Sequence, residues 1–294
     1  MPPHPNPPSA RVRGFERRVC SPPGGACPTL LSPMTNAELS ARLLSNVIAF
    51  KHLQRERGTL RHLGLPGVDA FCLPEHPEHA RAQQAFFHDA GALRDALPAL
   101  TDFYRRLDLP GWRVVLPPGD AEARRVLEAA GFGPDAVRMD AMGLALGDVP
   151  DAPPDISLEV SETQDDMVAI NKRTWGQLGR QLDVWLRPPR LPVHTLVAKA
   201  AGVPLACGLA RDVGDTAGIY MVATVPEARG RGLAAQVMRG LHHQARARGM
   251  TAAVLQATPE AKPLYQRLGY RDLGAWETWG RLGPPACFTS SDGG

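Results

Sequence analysis

The sequence predicts an α/β protein, α+β in the arrangement of its elements, built from two copies of one unit, and three observations carry that prediction. The stretch Ala217 to Tyr270 runs strand, Arg/Gly turn, helix, strand, helix, Gly-aromatic. Residues 92–132 repeat the end of that series without a gap. Gly111 and Gly131 stand a constant 138 residues before Gly249 and Gly269; at the same offset Glu122 matches Glu260, Ala123 matches Ala261, Arg124 faces Lys262 and Phe132 faces Tyr270. Between the copies lies Val149-Pro-Asp-Ala-Pro-Pro-Asp155, a stiff proline-rich linker.

Composition bounds the function classes. The chain has 294 residues, 44% apolar and 21% charged, close to the average for soluble proteins, so sizeable cores can form. A net charge of +3 is too small to imply a nucleic-acid partner by itself. Five cysteines (Cys20, Cys27, Cys72, Cys207, Cys287) are odd in number, widely spaced and without a Cys-x-x-Cys unit, so they indicate neither a zinc site nor a disulfide framework. A reducing cytoplasm is the expected compartment. No apolar run approaches the ~18 residues of a membrane span, and the N-terminus lacks the apolar core of a secretory signal. The expectation is therefore no membrane, no nucleic acid and no metal.

In chain order, residues 1–33 are rich in Pro, Gly, Arg and Ser with nothing periodic to bury, which predicts a disordered tail. Met34-Thr-Asn-Ala-Glu-Leu reads like a more ordinary start, and translation beginning at Met34 is one expectation from that break in composition. From Asn36 to about Arg61, Leu39, Leu43, Val47, Phe50 and Leu53 recur at helical spacing. Residues 62–80 are dense in Gly, Pro and His and read as a surface loop; Pro77 breaks the helix that His76 and His79 would need to share a metal. A helix with Leu93, Leu97, Leu100, Phe103 and Tyr104 then leads to a strand at 111–116, a helix from Asp120 to Ala130 and Gly131-Phe132.

Past the linker, Ile156 to Val160 reads as a strand. Ser161-Glu-Thr-Gln164 reads as a capping box opening a helix with Met167, Ile170 and Trp175. Trp175 to Pro192 is an irregular, aromatic-bearing insertion. Strands follow at Thr195 to Ala198 and Val203 to Ala210. The central motif is Pro226-Glu-Ala-Arg-Gly-Arg-Gly-Leu-Ala-Ala235, where Gly230 and Gly232 leave the backbone bare just where a helix begins. Unblocked amides at a helix N-terminus are a seat for a pyrophosphate. No Asp or Glu lies between Glu227 and Glu260, whereas Arg229, Arg231, Arg239, Arg246 and Arg248 do, so the local field favours phosphates. Downstream, Ala252-Ala-Val-Leu255 reads as a strand, and Thr258 to Gly269 as a helix ending in a left-handed glycine cap.

This series resembles the acetyl-CoA-binding half of the GNAT superfamily of N-acetyltransferases. Arg229, Gly232 and Ala234 match its Gln/Arg-x-x-Gly-x-Gly/Ala signature, and Ala261, Leu264 and Tyr265 match its Ala-x-x-Leu-Tyr helix; Thr224-Val225-Pro226 follows its valine-x-proline lead-in loosely, and Thr258 stands where an asparagine is common. The resemblance implies a mixed, mostly antiparallel twisted sheet flanked by helices in each of two GNAT-like domains. Residues 35–148 would be a degenerate copy, because nothing before Leu93 supplies an Arg-Gly-x-Gly turn; 149–155 would be the linker, 156–282 the catalytic domain and 283–294 a flexible tail.

The resemblance further implies acetyl-CoA as co-substrate. Backbone groups of Val222, Ala223 and Thr224 would pair with the pantetheine arm, and amides of Arg229, Gly230, Arg231, Gly232, Leu233 and Ala234 would hold the pyrophosphate, with Thr258 nearby. Tyr265 would protonate the departing sulfur, and a splayed strand near Val222 to Thr224 would direct an N–H at the thioester oxygen. Trp175, Trp185 and Tyr220 are candidate acceptor contacts. Tyr220, Asp212, Asp215 and Glu277 are candidate bases without a diagnostic spacing, while His242 and His243, in the middle of the helix after the cradle, read as solvated or packed.

The expected activity is transfer of an acetyl group to a primary amine of a small molecule by direct attack in a ternary complex. Acetylation of a protein lysine or N-terminus, a non-catalytic acyl-CoA-binding module, and nucleic-acid binding through the basic helix after Gly232 are the alternatives; the last lacks interleaved aromatics. Both monomer and homodimer remain open.

Overall fold

A computed structural model describes residues 33–57, 60–77, 82–109, 111–150, 158–160, 164–176 and 191–281. The expected tails, most of the linker, Ser161 to Thr163 of the expected capping box, His79 and Trp185 lie outside the described residues. The described strands are β1 (Arg61–Leu65), β2 (Val68–Cys72), β3 (Gln84–Phe87), β4 (Arg113–Leu116), β5 (Phe132–Ala145), β6 (Leu158–Val160), β7 (His194–Ala200), β8 (Val203–Val213), β9 (Thr216–Thr224), β10 (Ala252–Ala257) and β11 (Arg271–Arg281). The helices are α1 (Asn36–Glu56), α2 (Ala90–Arg106), α3 (Ala121–Ala129), α4 (Asp165–Trp175), α5 (Leu233–Ala247) and α6 (Lys262–Arg267).

Where the sequence predicts one sheet per unit, all eleven strands join a single sheet in the order β1-β2-β3-β4-β11-β5-β10-β9-β8-β7-β6. Two pairs are parallel, β3 with β4 and β9 with β10; the others are antiparallel, as expected. Residues from Met34 onward form one compact unit rather than two.

The reason is a crossing of the last strand of each half. β5 ends the N-terminal half yet pairs with β10, while β11 ends the chain yet pairs with β4, and β5 and β11 pair with each other. Side chains follow. Met142 and Leu144 of β5 enter the core under α5 and α6, and Trp279 of β11 enters the core under α2 and α3. At the centre of the β5–β11 ladder Arg138 pairs with Glu277 and Met139 with Trp276. The 138-residue offset carries Arg138 onto Trp276 and Met139 onto Glu277, so the ladder is centred on the internal repeat itself. Gly131 and Gly269, the matched glycines, both take left-handed φ, +78° and +92°.

Helix α1 departs most from the expectation. A capping box opens it, with Glu38 N–H donating to Thr35 Oγ1 and Thr35 N–H donating to Glu38 Oε2, and it ends at Glu56 rather than near Arg61. The first part of the expected loop over residues 62–80 is instead the β1–β2 hairpin, in which Arg61–Leu65 and Val68–Cys72 pair around Pro66-Gly67, with Gly67 at φ +70°, while residues 73–77 form no strand or helix. The turn chemistry at Pro-Gly outweighs the low β-propensity of the flanking residues. Helix α1 then lies on the face carrying α4. Its Leu39, Leu43, Val47 and Ile48 share a core with Ala141, Val254 and Trp276, while Phe50 and Leu53 share one with Met167, Ile170 and Leu209. It therefore spans the middle of the sheet and touches strands of both halves.

Candidate active site

Strands β9 and β10 are parallel neighbours only from Thr216 opposite Ala252 to Ile219 opposite Leu255. Beyond that point they diverge, so Tyr220 to Thr224 on one side and Gln256 and Ala257 on the other lose each other as partners. β10 stays paired with β5 through Ala257, and β9 stays paired with β8 through Thr224. Both strands are thus held from outside while the gap opens between them. Within the gap β9 carries a bulge. Its register against β8 shifts between Tyr220, opposite Leu209, and Ala223, opposite Cys207, and Met221 sits at φ +53°. A non-glycine residue in that region is strained, and a bulge redirects the backbone groups beside it.

A cavity of about 320 Å³ fills the gap. Ile219, Tyr220, Met221 and Val222 line one wall and Gln256, Ala257, Thr258, Ala261 and Tyr265 the other. Tyr265 is 6% exposed, and burial pushes its phenol up to about 12, so it holds its proton at neutral pH. Trp175, 46% exposed at the end of α4, also lines the cavity.

Downstream, β9 runs through a short 3₁₀ turn, Pro226–Ala228, into α5. Buried Val225 and Ala228 pin that turn to the core. Arg229 N–H closes on the Pro226 carbonyl at 3.3 Å, and the first bond of the helix runs from Gln236 N–H to the Gly232 carbonyl at 3.2 Å. The amides from Gly230 to Ala235 therefore precede the helical ladder. Gly232 is the N-cap, at φ +74°, and no side chain caps the helix. A Cβ built on Gly230 or Gly232 would meet nothing within 4 Å, so neither glycine is packed against another part of the protein. The neighbouring arginines tie the loop to itself: Arg229 Nε donates to the Thr224 carbonyl at 3.4 Å and Arg231 donates to the Glu227 carbonyl at 3.0 Å, while the Glu227 carboxylate pairs with Arg173 of α4. A bare helix end, with the Glu227 carboxylate of the preceding turn paired to Arg173, fits a diphosphate.

At the matching place in the N-terminal half, β3 leads into α2, but Asp89 caps that helix by accepting from Ala92 N–H at 2.8 Å. A carboxylate occupies the position an anion would take.

The candidate bases distribute differently. Asp212 accepts from Arg248 at 2.6 and 3.0 Å, and Asp215 is held by Arg42 and Thr251, which keep its carboxyl below the usual range. Glu277 accepts from Arg124 and from the Trp279 indole. None of the three lines the cavity. Tyr220 does, but its hydroxyl donates to Asn46 Oδ1 at 2.7 Å, its ring stacks on Phe50 at 4.3 Å, and burial raises its phenol far above the usual value. His242 is buried, its Nε2 2.8 Å from the Tyr270 hydroxyl, and burial lowers it to about 4.

The contribution missed from the sequence is that of α1. Val47, Phe50, Lys51 and Gln54 line the cavity beside Tyr220, with Gln84 of β3 and Met139 of β5. Helical spacing marks the apolar members of α1 as core, but nothing local says which strand they cover. Asn46, one residue before Val47, is fully buried and reaches β9 where Gly218 leaves room; a Cβ there would lie 1.9 Å from Asn46 Oδ1.

Known proteins share both the local pattern and the wider arrangement. Residues 162–270 match the family model described as Acetyltransferase (GNAT) family. Among solved structures, a GCN5-related N-acetyltransferase from Kribbella flavida superposes with a TM-score of 0.63 at 20% identity, over 83% of this chain and 96% of that one. A GCN5-related N-acetyltransferase from Sphaerobacter thermophilus superposes with a TM-score of 0.51 at 15% identity, over 84% and 93%. A putative GNAT-family acetyltransferase from Novosphingobium aromaticivorans gives 0.50 at 18% identity, over 85% and 100%. No curated protein sequence matches the chain. At these identities the structural likeness establishes the fold, and the family model adds the sequence pattern of the cleft. Residues 162–270 thus carry the GNAT acetyltransferase pattern, within a GNAT-like fold that spans both halves of the described chain.

Proposed function

We propose that the protein transfers an acetyl group from acetyl-CoA to the primary amine of a small molecule, by direct attack while both are bound. The observation that carries this reading is the splay of β9 from β10 after Ile219 and Leu255, with a bulge and Tyr265 in the gap and bare helix amides at the end of β9.

In this reading the amides of Gly230 to Ala234 hold the diphosphate, and the unpaired edge of Val222, Ala223 and Thr224 pairs with the pantetheine arm beside Thr258. Acetyl-CoA supplies the activated acyl group. The chain supplies the rest: the bulge at Met221 and Val222 presents a backbone N–H to the carbonyl oxygen as it gains charge, and Tyr265 keeps a proton ready for the departing sulfur. The cavity walls keep amine and acyl group together, which by itself removes several kcal/mol of barrier. Asp212, Asp215 and Glu277 are engaged elsewhere, so water is assigned the proton of the amine.

A small acceptor is favoured over a polypeptide because α1 closes the cavity with Phe50 and Val47 on the side facing Tyr220. Trp175 and Tyr220 are assigned as acceptor contacts. The N-terminal half is read as a degenerate copy of the same unit. The 138-residue repeat, the reciprocal exchange of β5 and β11 and the carboxylate cap at Asp89 support that reading. The test is thiol release from acetyl-CoA across a panel of small amines and lysine peptides. Amine-dependent release with the small amines is expected; release with the peptides alone would overturn the acceptor class.

A further inference from the structure

Helix α1 carries a second cluster of chemistry near its C-terminal end, separate from the cavity. His52 of α1, His62 of β1 and Asp69 of β2 place their ligating atoms within 4.8 Å of one another. His62 Nε2 lies 2.7 Å from Asp69 Oδ1 and His52 Nε2 lies 3.2 Å from the same oxygen. The two imidazoles, 4.7 Å apart, are braced on one buried ring: Phe71 sits 4.8 Å from His62 and 5.0 Å from His52. Register explains the convergence, since His62 pairs with Phe71 and Asp69 with Gly64, placing all three side chains on the face that α1 covers. All three residues are half-buried, so the cluster is open to water on one side.

We propose that His52, His62 and Asp69 form a binding site for a divalent transition-metal ion of the zinc class. Two neutral imidazole nitrogens and one carboxylate oxygen are a donor set that such ions favour over magnesium or calcium. Ligands bonded at about 2.0–2.2 Å around one ion stand roughly 2.8–3.6 Å from each other, depending on octahedral or tetrahedral geometry. The observed nitrogen-to-oxygen distances of 2.7 and 3.2 Å lie within a few tenths of an ångström of that spacing. A hydrogen-bonded pair needs one histidine, whereas here a second imidazole from another element points its Nε2 at the same oxygen. Water completes the coordination on the open side. The ion would clamp the end of α1, just beyond the cavity contacts Val47 and Phe50, to the β1–β2 hairpin at the sheet edge. The proposal does not depend on the acetyl-transfer reading.

The test uses the full chain, stripped with chelator and titrated with zinc chloride in a calorimeter, beside His52→Ala/His62→Ala and Asp69→Asn. Asp69→Asn keeps the size and hydrogen-bonding ability of the side chain while removing the anionic ligand. Wild type should bind one more equivalent of zinc than either variant, and saturating zinc should raise its Tm by about 3 °C or more while leaving the variants unmoved. Equal stoichiometry in wild type and Asp69→Asn would overturn the site. X-ray absorption on wild type carrying one equivalent of zinc probes the ligands without any variant. Scattering from two imidazoles supports the assignment; a sulfur shell, or the absence of any bound equivalent, refutes it.

Discussion

The Tyr220 hydroxyl of β9 donates to Oδ1 of Asn46 on α1 at 2.7 Å, joining the strand beside the bulge to a helix 174 residues earlier. Asn46 Nδ2 in turn donates to the carbonyls of Arg211 at 3.1 Å and Thr216 at 3.3 Å, so one buried amide ties α1 to β8 and β9 together. This bond fixes the cavity wall from the N-terminal half.

Replacing Asn46 with Leu strands the Tyr220 hydroxyl in a buried site, and should cost at least about 2 kcal/mol of stability. Tyr220→Phe should cost about 1–3 kcal/mol, because it leaves the buried Asn46 Oδ1 without that donor. Urea unfolding of both single variants and the double variant checks this. A double variant less damaged than the sum of the two singles reports the coupling, whereas strict additivity would mean that the pair does not interact.

Gly232→Glu places a carboxylate before the bare amides and should abolish calorimetric binding of acetyl-CoA. The left-handed backbone at Gly232 adds a strain of about 1–2 kcal/mol for any side chain. Gly232→Gln carries the same strain and bulk without the charge; it should fold and retain more affinity than Gly232→Glu. Unchanged binding in Gly232→Glu would remove the cradle from the mechanism.

Tyr265→Phe keeps the ring that packs against Tyr270 at 5.8 Å and removes only the hydroxyl. Loss of a general acid lowers turnover by about 100-fold or more. The expected result is a fall in kcat with KM nearly unchanged, measured by thiol release across pH. Equal kcat would reassign Tyr265 as packing.

His242 makes acid stability a readout of the core under α5. Burial, with Arg246 and Arg239 adding to it, holds its folded value near 4, below the ordinary 6.5. Below pH 6.5 the unfolded chain binds a proton that the folded chain refuses, so stability is full above 6.5 and falls as pH drops toward 4. The loss is of order 3 kcal/mol at most. His242→Gln should flatten the stability profile between those limits in denaturant titrations; a profile as steep as that of wild type would place the titration elsewhere.

Some features were local enough to read directly. Gly230 and Gly232 before an apolar-faced helix, and Leu264-Tyr265 before Gly269, identify the cleft because each motif is a backbone conformation or a one-turn spacing. The offset of 138 residues likewise marked Gly131 and Gly269, which share a left-handed φ. The β1–β2 hairpin was harder to read, its Pro66-Gly67 turn lying among residues that favour loops.

What residues do to each other across 100 positions or more was decided only in three dimensions. The sequence by itself determined the helices and strands of the C-terminal half and the glycine turn at Gly230 and Gly232, since periodicity and glycine positions act over a few residues. The tertiary structure decided that β5 and β11 cross between the halves to make one sheet, and that α1 rather than a C-terminal segment faces Tyr220 in the cavity. Strand pairing is specified by the fit of two whole surfaces, as in Asn46 entering the space that Gly218 leaves, and no short stretch of chain encodes that fit.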